Sequence, residues 1–217
     1  MTILMTYAGP GEPEELVTRT GGTPLAPVGT PWPTCATCDG SMQFLAQIVL
    51  EDLGRPTSQA SSHIARTMAI FMCQNDPGMC DEWSPTLGGN RALLFPVGDL
   101  RPMATPHEDG KGTLRLGAVN AVTLVSIPGS GYGSARESWG SRSENGMRDV
   151  LGQLGGQADW LQDDETPQCP HCTRSMELIA QLEEGPEHST AMNFGGGGTA
   201  FAFACEPCTE AAFLWQC

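Results

Sequence analysis

Cys35-Ala-Thr-Cys38-Asp39-Gly40-Ser41-Met42-Gln43-Phe44-Leu45-Ala46-Gln47-Ile48 has a counterpart 134 positions later, Cys169-Pro-His-Cys172-Thr173-Arg174-Ser175-Met176-Glu177-Leu178-Ile179-Ala180-Gln181-Leu182. Each is a CxxC pair followed by a run of apolar residues at strand-like spacing, and self-similarity at a fixed offset is the mark of a repeated unit. The correspondence extends outward. Gly21-Gly22 and Gly155-Gly156 share the offset, as do Pro33 and Pro167. Downstream, Thr67-Met68-Ala69-Ile70-Phe71-Met72-Cys73 parallels Thr199-Ala200-Phe201-Ala202-Phe203-Ala204-Cys205, now 132 positions apart. Cys80 and Cys208 follow, and behind them Ala92-Leu93-Leu94-Phe95 echoes Ala212-Phe213-Leu214-Trp215. Eight of the nine cysteines thus fall into two sets of four; Cys217 is left as a terminal thiol.

Zn²⁺ takes four tetrahedral ligands, and a CxxC turn supplies two thiolates while a second pair arrives across a hairpin. The spacing therefore predicts two structural zinc sites, Cys35, Cys38, Cys73 and Cys80 in one, Cys169, Cys172, Cys205 and Cys208 in the other. Iron is the alternative metal. The gap between Cys73 and Cys80 makes Cys80 the least constrained ligand by spacing, one that Asp76 or water could replace. A thioredoxin-like redox role would need a CxxC at a strand-to-helix junction and no downstream pair, so metal binding is the better reading.

Glycine (27) and proline (17) make up about a fifth of the 217 residues, which favours short strands and many turns. The expected fold class is mainly β (α+β): two pseudo-repeats, each an antiparallel sheet closed by a four-Cys zinc-ribbon-like site. The expected divisions are 1–100 for the first repeat, 101–150 for connecting strands and a mobile Gly/Ser-rich loop, and 151–217 for the second. Within each repeat the order is cysteine turn, strand, variable loop, strand, cysteine turn, strand. Period-two alternation places Met42, Phe44, Ala46, Ile48 and Leu50 on one side of the first strand, and Phe201 and Phe203 on one side of another. Residues 51–66 and 183–198 are the variable loops, the first with a short helix. Residues 113–127 read as one or two strands, 128–146 as a mobile loop and 147–154 as a short helix.

The formal charge of −14, from 25 acidic and 11 basic residues, argues against nucleic acid and makes a basic protein partner the natural one. No window approaches the roughly 20 apolar residues of a membrane span, and the first residues form no leader, so a soluble, cytoplasmic protein is expected. The sequence assigns no catalytic residue. His171 lies inside a CxxC, where its ring projects from the turn; His63, His107 and His188 read as surface histidines. Gly129-Ser130-Gly131-Tyr132-Gly133-Ser134 fails the dinucleotide fingerprint, and Gly110-Lys111-Gly112-Thr113 lacks the rest of a phosphate loop. Trp32, Trp83, Trp160 and Trp215 read as packing caps over the cysteine turns, with an aromatic partner-binding patch as the alternative.

These residues resemble the YwqG-like family, a bacterial domain of unknown function in which a Gly-Gly and a Trp-Pro precede CxxC and a Met-x-Phe-Leu-x-Gln strand. Here they are Gly21-Gly22, Trp32-Pro33, Cys35 to Gly40 and Met42 to Gln47. The segment from Leu154 to Cys172 is similar to that family and, more distantly, to the programmed cell death protein 2 group. The resemblance implies a fold without an established reaction for the former, and the escort of a ribosomal protein for the latter. Thr173-Arg174 departs from the pattern, since a glycine usually follows the second cysteine. The functional expectation is a zinc-stabilised protein-interaction module, chaperone-like or immunity-like. The alternative is an enzyme with its site in the cleft between the repeats, built from Asp159, Asp163 and Asp164 with His107 or His188.

Overall fold

A computed structural model describes residues 1–54, 65–96, 98–106, 114–144, 146–185 and 191–217. Among these the chain is mainly β, with one α-helix. The N-terminal half supplies β1 (Thr2–Pro10), β2 (Arg19–Thr20), β3 (Leu25–Pro27), β4 (Gln43–Val49), β5 (Ala65–Met72), β6 (Asn90–Pro96) and β7 (Leu100–Pro102). After these come β8 (Asn120–Ile127), α1 (Tyr132–Gly140), β9 (Val150–Leu154), β10 (Glu177–Glu183), β11 (Thr199–Cys205) and β12 (Glu210–Gln216). Ten strands form one antiparallel sheet in the order β12-β11-β10-β9-β1-β8-β2-β4-β5-β6; β3 and β7 pair separately. The edge strands β6 and β12 lie against each other, and the Trp215 amide donates to the Trp83 carbonyl at 3.3 Å, so the sheet is nearly closed.

The centre of the sheet joins the halves. β1 pairs with β8 on one side and with β9 on the other, while β8 pairs in turn with β2. The first strand of each half therefore feeds the other half's ladder. Sequence periodicity is silent on this, because it reports which face a residue occupies and not which strand lies beside it.

Both faces of β4, β5, β10 and β11 are buried, which is why they read as nearly continuous apolar runs. Along β5, Met68, Ile70 and Met72 enter the common core while Ala69 and Phe71 face a second cluster that includes Cys35, Cys73 and Cys80. Along β11, Ala200, Ala202 and Ala204 face inward, and Phe201, Phe203 and Cys205 pack with Cys169 on the outside. The expectation that Met42, Phe44, Ala46 and Ile48 share one side is corrected by a bulge. Pairing of β4 with β5 slips between Phe44 and Ala46, so Met42 and Phe44 face outward whereas Leu45, Ala46 and Ile48 face the core. An extra residue shifts the period-two phase. The same slip occurs in β10 between Leu178 and Ala180, 134 positions on.

Two further expectations change. Residues 150–154 form β9 rather than a helix; only a short 3-10 turn, Gly146–Asp149, precedes them, and ladder bonds to β1 and β10 override the local pattern. Residues 128–146 are not simply a loop, because they hold α1. Its Tyr132 and Ala135 pack with Leu4 and Val150, and the Tyr132 hydroxyl donates to Glu183 Oε1 at 2.8 Å while Arg136 pairs with Glu183 Oε2 at 3.0 Å. Burial pushes the Glu183 carboxyl up from its ordinary range. In residues 113–127 the described strand is β8, and the short helical turn foreseen after β4 is the 3-10 segment Leu50–Leu53.

Candidate metal centres

The first CxxC turn is closed by three backbone hydrogen bonds: the Cys35 amide donates to the Gly40 carbonyl, the Asp39 amide to the Cys35 carbonyl and the Met42 amide to the Pro33 carbonyl. The second uses the same three, from Cys169 to Arg174, from Thr173 to Cys169 and from Met176 to Pro167. Isolated bridges Thr34–Ser41 and Gln168–Ser175 flank them. The residue that takes the left-handed conformation is Asp39 (φ 56) in one turn and Thr173 (φ 58) in the other, so the departure at Thr173-Arg174 leaves the turn shape intact. A β-branched residue is strained there. Thr173→Gly should stabilise the protein by about 1 kcal/mol in urea unfolding, and a loss of stability would show that the threonine side chain is needed.

The opposing cysteines arrive at the ends of β5 and β11. The Cys73 amide donates to the Gly89 carbonyl at 2.8 Å, and the Ala36 amide to Gly88 at 3.0 Å, tying the two cysteine loops together. Gly89 runs so close to the Cys80 carbonyl and the Glu82 backbone that no side chain fits. The buried Glu82 carboxylate accepts from the amides of Gly78 and Cys80, and Asn90 Nδ2 donates to the carbonyls of Glu82 and Ser84. Cys80 is buried and held, which corrects the expectation that it is loosely placed; Asp76 is exposed. Cys80→Ser and Cys205→Ser should therefore cost similar losses of melting temperature and metal. A markedly milder Cys80→Ser would restore the asymmetry inferred from spacing.

The structure brings the eight predicted ligands together in the two predicted sets, each with its sulfur atoms within 4.8 Å of one another and positioned to hold a metal ion. All eight are free thiols. Cys38 and Cys73 Sγ lie 3.7 Å apart, as do Cys172 and Cys205 Sγ. Four sulfurs at ~2.3 Å from a common tetrahedral centre are about 3.8 Å apart, so both clusters match the size of a thiolate-bound ion. Backbone amides of Gly40, Asn75, Arg174 and Cys208 point at Cys38, Cys73, Cys172 and Cys205 respectively, orienting the sulfurs as acceptors.

Burial pushes Cys73 up to about 11 and Cys80 higher, and hydrogen bonding to Cys172, with burial, pushes Cys208 up to about 12. Neighbouring thiolates resist ionising together unless a positive charge sits among them. Cys38 and Cys172 are the exceptions: at Cys38 burial is outweighed by hydrogen bonds led by the Gly40 amide, which lower it, and Cys172 is lowered to about 6 by Arg174, whose Nε donates to its sulfur at 3.4 Å. Arg174 and Asn75, whose Nδ2 lies 3.5 Å from both Cys38 and Cys73 Sγ, escaped the sequence reading; their only signal is position, two residues beyond a cysteine. A metal takes the thiolate, and a depressed thiol value keeps thiolate present until the pH falls through about 6. Arg174→Gln returns Cys172 toward its ordinary value, so acid release of metal from the C-terminal site should move to higher pH. A colorimetric chelator titration showing an unmoved release curve would refute that role.

His171 projects out of its turn and meets Glu210 Oε1 at 2.9 Å, with two-thirds of its side chain exposed. His63, His107 and His188 lie outside the described residues. Asp159, Asp163 and Asp164 are exposed; the Asp159 amide donates to Gln181, and Asp164 caps Thr166. The recess lined from both halves, by Thr20, Gln43 and Asn120 with Glu184 and Met192, measures about 10 Å³, room for one water at most. Trp32 and Trp160 pack on Phe71 and on Phe201 and Phe203, beside the cysteine clusters. No helix among the described residues is long and apolar enough to cross a membrane.

No protein-family model matches the chain. Over 71 residues, 31% of its length, it is 35% identical to the Uncharacterized protein YpfL of Salmonella typhimurium. The match spans 15% of that relative.

Proposed function

We propose that the protein is a zinc-stabilised protein-interaction module, built as two units of one duplicated design of the YwqG-like kind, each closed by a zinc-ribbon-like site. The observation that carries this reading is the pair of four-sulfur clusters, each with all its sulfurs within 4.8 Å of one another and one S–S separation of 3.7 Å. Four thiolates complete a tetrahedral shell, leaving no position for a water to be activated, which suits a structural ion. The recurrence of hydrogen bonds, positive-φ residue and bulge at one offset supports the duplication.

Four thiolates around one Zn²⁺ carry a net charge of −2, so filled sites deepen a charge of −14. Such a surface recruits basic partners, a chaperone client or a toxin among them, and repels nucleic acid. The purified protein should contain close to two zinc ions per chain by elemental analysis. Its partner, recovered from native lysate, should be held at about 0.05 M salt and released at about 0.5 M, because exposed charges are screened over about 10 Å at 0.1 M. Iron in place of zinc, a partner retained equally at both salts, or tight salt-sensitive binding of DNA or RNA would each overturn part of this reading.

A further inference from the structure

The two cysteine clusters are built alike but covered differently. At the N-terminal one the loop 74–89 folds back on the cysteine turn: the Gly88 and Gly89 carbonyls accept from Ala36 and Cys73, the Glu82 carboxylate accepts from the Cys80 amide, and Cys80 is 2% exposed. Cys38 alone of these four is half-buried, and the Asn75 side chain donates to its sulfur and to that of Cys73 at 3.5 Å. At the C-terminal cluster the corresponding return is the three-residue turn Glu206–Cys208. Cys172 and Cys208 are both half-buried there, and His171 and Thr173 on either side of Cys172 are exposed. A surface recess of about 350 Å³ adjoins this cluster, lined by Arg174, Ser175, Glu177, Cys205, Glu206 and Pro207.

We infer that Cys172 is a site of reversible oxidation by a small uncharged peroxide, with Cys205 as its resolving cysteine. A cysteine reacts in proportion to its exposure and thiolate character, and a metal-bound cysteine is a thiolate. Proximity alone does not single out this pair, because Cys38 and Cys73 Sγ are also 3.7 Å apart; the difference lies in cover and in the neighbouring donor. Arg174 Nε lies 3.4 Å from Cys172 Sγ, and the remaining N–H groups of its fork can hold a peroxide oxygen and favour departing hydroxide. Glu177 and Glu206 in the lining disfavour anionic oxidants, which leaves hydrogen peroxide as the fitting reagent. The Cys172 sulfur attacks one peroxide oxygen, the O–O bond breaks, and a sulfenic acid and hydroxide result. The Cys205 sulfur then attacks the sulfenic sulfur, forming the S–S bond and expelling a second hydroxide. Two thiolates thus lose two electrons, and one hydrogen peroxide is reduced to two hydroxides. The site gives up two of its four ligands, and its hold on an ion with them. The new disulfide ties the same two cysteine loops together, so the sheet stays joined. The inference rests on the metal-site reading and gives one of the two sites a regulatory role.

The test uses the zinc-loaded full chain, a modest excess of hydrogen peroxide and a zinc-sensitive dye. Close to one zinc per chain should be released, peptide mapping should show a Cys172–Cys205 disulfide, and dithiothreitol with added Zn²⁺ should restore the starting state. Arg174→Gln should slow the release about tenfold at neutral pH, with zinc content and melting temperature unchanged. A second arm needs no substitution: brief labelling with iodoacetamide should modify Cys172 and Cys208 before any cysteine of the N-terminal cluster. Release of both ions at one rate, release from the N-terminal site first, a disulfide that omits Cys172, or an Arg174→Gln protein as fast as the unaltered one overturns the inference. A chain that holds no zinc yet forms the Cys172–Cys205 disulfide would overturn the metal-site reading and leave this oxidation standing.

Discussion

Stripping metal from the protein should unfold it. With a strong chelator at neutral pH, near-ultraviolet dichroism and the cooperative thermal transition should disappear and return on adding Zn²⁺. A structural zinc contributes on the order of 10–16 kcal/mol in small peptides, as much as the whole stability of an ordinary domain, ~5–15 kcal/mol. The geometry explains why the loss should spread. Cys35, Cys73 and Cys80 belong to the same outer cluster as Phe44 and Phe71, and Cys169 and Cys205 to that of Phe201 and Phe203, so the thiols are part of what covers one face of the sheet. With β1 and β8 crossing between the halves, damage at one cluster reaches the other. Cys35→Ser should therefore lower the melting temperature of the whole chain in a single transition. Two separate transitions, one unaffected, would show that the halves fold independently.

Arg19→Ala should cost about 4 kcal/mol in urea unfolding, since hydrogen bonds to a charged donor are worth ~1.5–3 kcal/mol each and do not add fully. Arg19 is 1% exposed, and its guanidinium donates to the carbonyls of Pro13, Gly21 and Thr23 at 2.6 to 2.7 Å while lying over the Phe44 ring. Burial lowers its pKa to about 10. Removing it strands three carbonyls in the interior and unties the Gly21-Gly22 turn from the sheet. Arg19→Lys should recover only part of the loss, because a single ammonium cannot reproduce the forked donor geometry. A cost below 1 kcal/mol for Arg19→Ala would mean that water reaches those carbonyls.

Cysteine identity and spacing were enough to pair the eight sulfurs into the two clusters that the structure forms, since a CxxC turn and a hairpin are local constructions with few outcomes. The strands flanking the cysteine turns, β4, β5, β6, β10, β11 and β12, were legible for the same reason, whereas β1 and β9 were not. What escaped was non-local or cooperative. The burial of Arg19 has no local signal in the sequence, because it depends on the carbonyls of Pro13 and Thr23 closing around it. Residues 132–140 carry a polar sequence that becomes a helix because Tyr132 and Ala135 find a buried neighbour in Val150. The side on which Met42 and Phe44 fall depends on a bulge that no alternation pattern announces.

By itself the sequence determined the cysteine sets, the mainly β character and the net charge of −14, all of which follow from residue chemistry and short-range periodicity. Only the tertiary structure decided that both halves share one nearly closed sheet, because a ladder between β1 and β8 forms from backbone groups that any residues can supply. It alone set Trp160 against Phe203 where Trp32 lies against Phe71 in the other half, since the neighbour of a ring is fixed only once the strands have come together.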